Sequence, residues 1–195
     1  MAGVLEKTIS VTEYLERERI SEVKHEYLDG IVKEMSGASR EHNLIHTNLI
    51  QELANHLDDQ GCEVYGSDMR VRVTPTRYTY PDLTVVCEPP FFEDKVLDTL
   101  LNPLLMIEIL SPSSEAYDRG DKFSFYRRIE SLQEFVFVSH DKPKLERYFR
   151  QGNEWRFSEV LGLEDKVRLE TIGLTLPLSR AYKKLTFPVD AAKTA

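Results

Sequence analysis

The sequence predicts a single α/β domain built on a mixed sheet, and three observations carry that prediction. Short strand-like apolar runs alternate with helical patterns along the chain. A hairpin signal near the N-terminus is followed by one long amphipathic stretch. Further on, residues 104–110 are apolar on both faces except for one acid, the pattern of a central strand covered on both sides. The chain has 195 residues, 41% hydrophobic and 30% charged, which supplies one ordinary core and is too apolar for wholesale disorder. With no repeat, low-complexity segment or linker, one domain over 1–195 is expected.

The elements follow in order. Thr8 and Ser10 are N-cap candidates for a short helix ending near residue 20. Residues 25–36 read as two strands around Asp29-Gly30, a pair favoured in two-residue hairpin turns. Over about 40–60, Leu44, Ile45, Leu49, Leu53 and Leu57 recur at helical spacing, and Gly61 closes the helix. Short strands are expected at 62–65 and 69–73, the second alternating Met69, Val71 and Val73 with Arg70 and Arg72. Pro81 opens a strand over 82–87, and Pro103 opens the one at 104–110. The run Ser111-Pro112-Ser113-Ser114 stops that strand and offers caps for a helix over about 115–130. A strand at 134–139 follows, then a hairpin of 144–150 and 154–160 about Gly152-Asn153. The tail holds a weak strand near Val167 and a weak helix over 178–185.

Composition also excludes. A net charge of −8 argues against a protein that coats nucleic acid, because phosphate affinity rests on clustered Lys and Arg. A nuclease is not excluded, since it needs carboxylates for metal and only local basic groups. No run approaches the roughly 20 apolar residues of a membrane span. The N-terminus lacks the apolar core of a signal peptide, so a cytoplasmic location is expected. Cys87 closes an apolar run as a small hydrophobe, a disulfide with Cys62 is not expected in a reducing compartment, and without a CxxC pair a thiolate zinc site is unsupported.

Glu108 is the most informative residue. It stands among Leu105, Met106, Ile107, Ile109 and Leu110, where a carboxylate is costly to bury unless a metal, a cation or a proton compensates. A salt bridge to an arginine at a strand end is the competing account. Asp82 follows Pro81 at the start of an apolar strand. Two neighbouring strands would bring both carboxylates to one sheet edge, and paired hard oxygen ligands with open positions suit Mg²⁺ or Mn²⁺. Taken alone, Asp82 reads as an acid ending a turn. Lys122, Tyr126 and Ile129 share one helical face, which turns the Lys122 ammonium toward the sheet; an exposed lysine with its stem on the core is the alternative. Arg70, Arg72 and Arg77 form one basic cluster, and Arg119, Lys122, Arg127 and Arg128 another. Arg70, Arg72 and Arg119 are the candidate nucleic-acid contacts, against the plainer account of solvated charged faces.

Pro81-Asp82, followed by Glu108 in its apolar strand, resembles the Pro-Asp…(Asp/Glu)-x-Lys phosphodiesterase superfamily, which includes many restriction endonucleases. The usual lysine position is Leu110 here, and Lys122 fits the variant in which the lysine has moved to the adjacent helix. A closer resemblance is to the Uma2 family of endonucleases, common in cyanobacteria. It is carried by Glu26-Tyr27-Leu28-Asp29-Gly30-Ile31-Val32, His42, Pro81-Asp82, the run Glu108-Ile109-Leu110-Ser111-Pro112-Ser113, and Asp121-Lys122 through Tyr126. The matching positions span about residues 10–150. The resemblance implies a restriction-endonuclease-like mixed sheet flanked by helices, a divalent-metal site, a homodimer and endonuclease activity. It also implies Glu26 as an auxiliary acid, although a glutamate beside a hairpin turn is ordinarily exposed. His42 falls where the family often has histidine, with capping or packing as its alternative, and Tyr126 reads as core with its hydroxyl toward the site.

These readings combine into hydrolysis of nucleic acid, DNA foremost. Asp82, Glu108 and the backbone carbonyl of Ile109 would hold Mg²⁺ or Mn²⁺, and Lys122 would position water and offset charge. Two alternatives stand beside it. One is a nuclease-fold dimer that binds nucleic acid or protein without cutting, favoured by the acidic balance and the absent strand lysine. The other is a structural dimer with an Arg–Glu–Asp network. His46 and His56 receive no function.

Overall fold

The computed structural model describes residues 8–111 and 115–187. Ser10 caps α1 (Val11–Glu18), its side chain accepting from the Glu13 amide at 3.2 Å. The strands β1 (His25–Leu28) and β2 (Ile31–Glu34) pair antiparallel. Asp29 and Gly30, at φ 50° and 100°, make the two-residue turn between them that the sequence signals. Ser39 caps α2 (Arg40–Leu57), which buries Ile45, Leu49, Leu53 and Leu57 along one stripe.

The next segment is richer in strands than its sequence pattern suggests. It contains β3 (Glu63–Tyr65), β4 (Arg70–Thr74), β5 (Arg77–Thr79), β6 (Leu83–Val86), β7 (Thr99–Leu100) and β8 (Leu105–Leu110). Neither β5 nor β7 is signalled locally; each is a few residues long and exists because β4 offers an edge on either side. Past residues 112–114, which lie outside the described residues and include the expected caps Ser113 and Ser114, come α3 (Glu115–Tyr117), a π turn (Asp118–Lys122) and α4 (Phe123–Tyr126).

The helix expected over 115–130 is therefore shorter and interrupted. Its early end has a visible cause. Arg150 donates to the carbonyls of Arg127, Ile129 and Leu132 at 2.7–2.9 Å, taking over acceptors that a longer helix would use itself. The chain closes with β9 (Glu134–Ser139), β10 (Lys144–Gln151), β11 (Glu154–Leu161), β12 (Lys166–Leu169), β13 (Leu174–Pro177) and α5 (Leu178–Ala181).

The central sheet runs β11-β10-β9-β8-β6-β3, with β8 and β9 parallel and the other pairs antiparallel. A second sheet runs β2-β1-β5-β4-β7, and β12 pairs with β13. All six residues of β8 are buried, as its two-sided apolarity requires. Leu105, Ile107 and Ile109 pack with the α2 stripe and the tail, whereas Met106 and Leu110 pack with β4, α4 and the phenylalanines of β9. Strand alternation therefore turns Glu108 toward the second face, the side of the five-stranded sheet. No helix among the described residues is long and apolar enough to cross a membrane.

Cys62 and Cys87 form a disulfide, contrary to the expectation of two free thiols. The β3–β6 register, with Glu63 opposite Val86, places these two residues directly opposite each other one step beyond the ladder. That juxtaposition depends on strand pairing and is invisible in the linear spacing.

Candidate active site

Strand register brings the two acids together. Leu83 pairs with Ile107, so one step further Asp82 stands opposite Glu108 at the end of the β6–β8 ladder. Beyond that ladder, Asp82 Oδ2 accepts from the Ile109 amide at 2.7 Å. Glu108 is 3% exposed, far from the exposed strand end that a surface salt bridge would need. Its Oε1 receives the Tyr126 hydroxyl at 2.8 Å and the Lys122 ammonium at 2.9 Å.

Lys122 reaches the site from the π turn. Such a turn carries more residues than an α turn and appears frequently at functional sites. The ammonium also lies 3.1 Å from Glu26 and 3.7 Å from Asp118, and its side chain is 6% exposed. Glu26 is buried, not exposed beside its hairpin, because β1 is interior to its sheet, between β2 and β5. Tyr117 donates to Glu26 at 3.2 Å, and the Tyr126 hydroxyl also meets Thr79 Oγ1 at 3.1 Å. Lys122 therefore joins Glu26 of the five-stranded sheet to Glu108 of the central one.

The N-terminal turns of α2 complete the cluster. His42 Nε2 lies 3.2 Å from Asp82 Oδ1, a contact beyond capping or packing. His46, one turn on, places Nε2 3.0 Å from the Asp82 carbonyl oxygen. Sequence reasoning passed over His46, yet the i, i+4 spacing of two histidines at one helix end was a readable signal.

The basic residues singled out from sequence are taken up in ion pairs on different elements. Arg70 is 2% exposed and pairs with Asp98 at 2.9 Å, with Thr99 and Tyr80 as further partners, because β4 is covered on both faces. Arg72 pairs with Glu93, and Arg119 with Glu115 and Glu146. Linear clustering is thus resolved into separate ion pairs on different elements.

The electrostatics of the two acids diverge. Burial pushes the Glu108 carboxyl up to about 8, with Asp82 and Asp118 adding to it and Lys122 pulling the other way. Burial also presses Asp82 upward, but His42, the Ile109 amide and Lys122 outweigh it, so its carboxyl lies below the usual range. Burial would discharge Lys122; Glu108, with Glu26 and Asp118, more than offsets that and holds the ammonium well above its ordinary value. Lys122 is accordingly a fixed cation and not a base. Acids outnumber lysines around an open groove of about 980 Å³ whose lining includes Asp82, Glu108, Ile109 and Lys122.

The donor set can be tested against a divalent metal. Among the described residues no three His, Cys, Asp or Glu side chains converge tightly enough to enclose an ion. What converges is two carboxylates and one backbone carbonyl. In a strand the N–H and C=O of one residue point to the same edge, so the Ile109 amide bonded to Asp82 sets its carbonyl on that side too. A few hard oxygens with open positions, in a pocket short of positive charge, fit Mg²⁺ or Mn²⁺, which keep several waters.

Comparison with known proteins agrees with this architecture. The model of the Uma2 family, described as "Putative restriction endonuclease", matches residues 11–179. Two uncharacterized proteins of Synechocystis sp. are each 35% identical: slr1290 over 92% of this chain and 94% of its own length, and sll1609 over 80% and 89%. A crystal structure from Anabaena variabilis, described as a "putative nuclease belonging to DUF820", superposes with a TM-score of 0.73. It is 16% identical and covers 89% of this chain and 97% of that one, which establishes a shared fold.

Proposed function

The chain belongs to the Uma2 restriction-endonuclease family, and from that premise we propose that it is a divalent-metal-dependent nuclease acting on DNA, with Asp82, Glu108 and Lys122 at its centre. The observation that carries the reading is the buried Glu108–Lys122 contact of 2.9 Å, set against an Asp82 that strand register places opposite Glu108. The nuclease description of the Anabaena variabilis structure points the same way.

Asp82, Glu108 and the Ile109 carbonyl would hold Mg²⁺ or Mn²⁺. When bound, such an ion supplies Lewis acidity toward a phosphodiester and lowers the pKa of the attacking water. The protein's own groups do the rest. Lys122, protonated and fixed between Glu26 and Glu108, places a positive charge where the phosphoryl group gains negative charge. Tyr126 donates to Glu108 and holds its carboxylate in one orientation. His42 does the same for Asp82. Lys33 and Lys24, the latter paired with Asp68, line the groove as cations for flanking phosphates. A homodimer would let one such groove engage each strand of a duplex.

Calorimetric titration of Mn²⁺ into wild type and Glu108→Gln, followed by cleavage assays on DNA, tests the reading. Saturable binding to wild type that vanishes in Glu108→Gln is expected, with cleavage lost in Asp82→Ala and Glu108→Gln. Wild type that binds no divalent ion in the presence of DNA would refute the catalytic model and leave a fold used for binding alone.

A further inference from the structure

We propose that His46 is a positioning residue for Asp82, an assignment that rests on the metal-site reading above. Asp82 lies just before β6, whose ladder with β8 begins at Leu83–Ile107. Regular pairing therefore stops where a metal-binding carboxylate has to be held to within about half an ångström.

Three contacts make up for this. The Ile109 amide donates to Asp82 Oδ2 at 2.7 Å, His42 Nε2 lies 3.2 Å from Oδ1, and His46 Nε2 lies 3.0 Å from the carbonyl oxygen. A carbonyl can only accept, so His46 Nε2 carries the proton. Both carboxylate oxygens and the backbone of one residue are thus constrained. The two histidines come from one helix face at i, i+4, and Ile45 and Leu49 seat that helix on the sheet at 0% and 1% exposure. His46 acts through Asp82 by fixing the main chain from which the carboxylate is aimed.

The test compares His46→Leu, which keeps bulk without a donor, with His46→Gln, whose side-chain amide restores one. Mn²⁺ is titrated calorimetrically into each, and thermal melts are recorded. Loss of a group that orients a metal ligand typically costs 10–100-fold in affinity. His46→Leu is expected to weaken Mn²⁺ binding by about tenfold, and His46→Gln to recover most of it, with both melting close to wild type. A leucine variant that binds as wild type does, or a glutamine variant that restores nothing, overturns the proposal. A second measurement needs no metal: in ¹⁵N-labelled apo-protein the His46 Nε2–H should be observable and slow to exchange. If it exchanges freely, the proposal fails even where the leucine variant does not fold. Wild type that binds no Mn²⁺ would overturn the metal reading, while the Nε2–H resonance still decides the hold on Asp82.

Discussion

Asp82 accepts a hydrogen bond from the backbone amide of Ile109 across the end of the β6–β8 ladder, so one metal-ligand candidate is aimed by the strand that carries the other. The two carboxylates form a unit, yet their environments push their protonation in opposite directions.

Burial pushes the Glu108 carboxyl up to about 8, so the metal-free protein is expected to carry a proton there at pH 7. A carboxylate must be ionised to bind a cation. Mn²⁺ binding at pH 7 should release close to one proton, and affinity should rise from pH 6 and level off above 8. Titrations in two buffers of different ionisation enthalpy read the proton directly, and no pH dependence between 6 and 8 would contradict the assignment.

Lys122→Met should destabilise the fold by about 3–5 kcal/mol at pH 7, because it removes the one ammonium that the buried Glu26, Glu108 and Asp118 share. Urea unfolding of wild type and variant at pH 7 measures the loss. A variant as stable as wild type would mean that the buried acids do not depend on this cation.

Asp98 gives a pH signature remote from the site. Burial presses its carboxyl upward, but Arg19, Arg70 and Thr99 bring it down to about 2. Its folded value lies below the unfolded one, so its contribution is present above about pH 4 and is lost as pH falls toward 2. The magnitude is on the order of 1–2 kcal/mol after screening at a partly exposed pair. Asp98→Asn should flatten the stability curve over that window, as chemical denaturation at pH 2–5 would show.

The Cys62–Cys87 bridge closes a sequence separation of 25 residues. Loop-closure entropy assigns it about 3.5 kcal/mol. Protein unfolded without reductant should show no reactive thiols, and the Cys62→Ser, Cys87→Ser double variant should unfold at lower urea. Two titratable thiols in the oxidised sample would contradict the pairing.

Much of this molecule is legible in its sequence, and the boundary of legibility has a physical meaning. Local signals gave α2 to within a few residues, the Asp29-Gly30 turn, and β8 with its one buried acid, because helix periodicity, φ > 0 turn residues and two-sided apolarity are written in adjacent positions. Glu108 is legible because a lone acid in an apolar strand is anomalous, whereas Asp82 and Lys122 are each ordinary alone and become legible only beside it and through the family resemblance. What adjacent positions do not encode is pairing. The β5 and β7 strands, the burial of Arg70, the approach of Cys62 to Cys87 and the grip of His46 on Asp82 all depend on which strands and helices meet. The helix over 115–130 is shorter than its pattern because Arg150, distant in sequence, claims its carbonyls.

Lys122 ties Glu26 on one sheet to Glu108 on the other, and this has a consequence for how the molecule ages and evolves. One fastener between the two layers and the working group of the proposed chemistry are the same atom, so neither can be lost quietly. A lineage that abandons cleavage still keeps buried acids that this ammonium neutralises. Copies that no longer cut are therefore expected to keep this lysine long after the acid at position 82 has drifted.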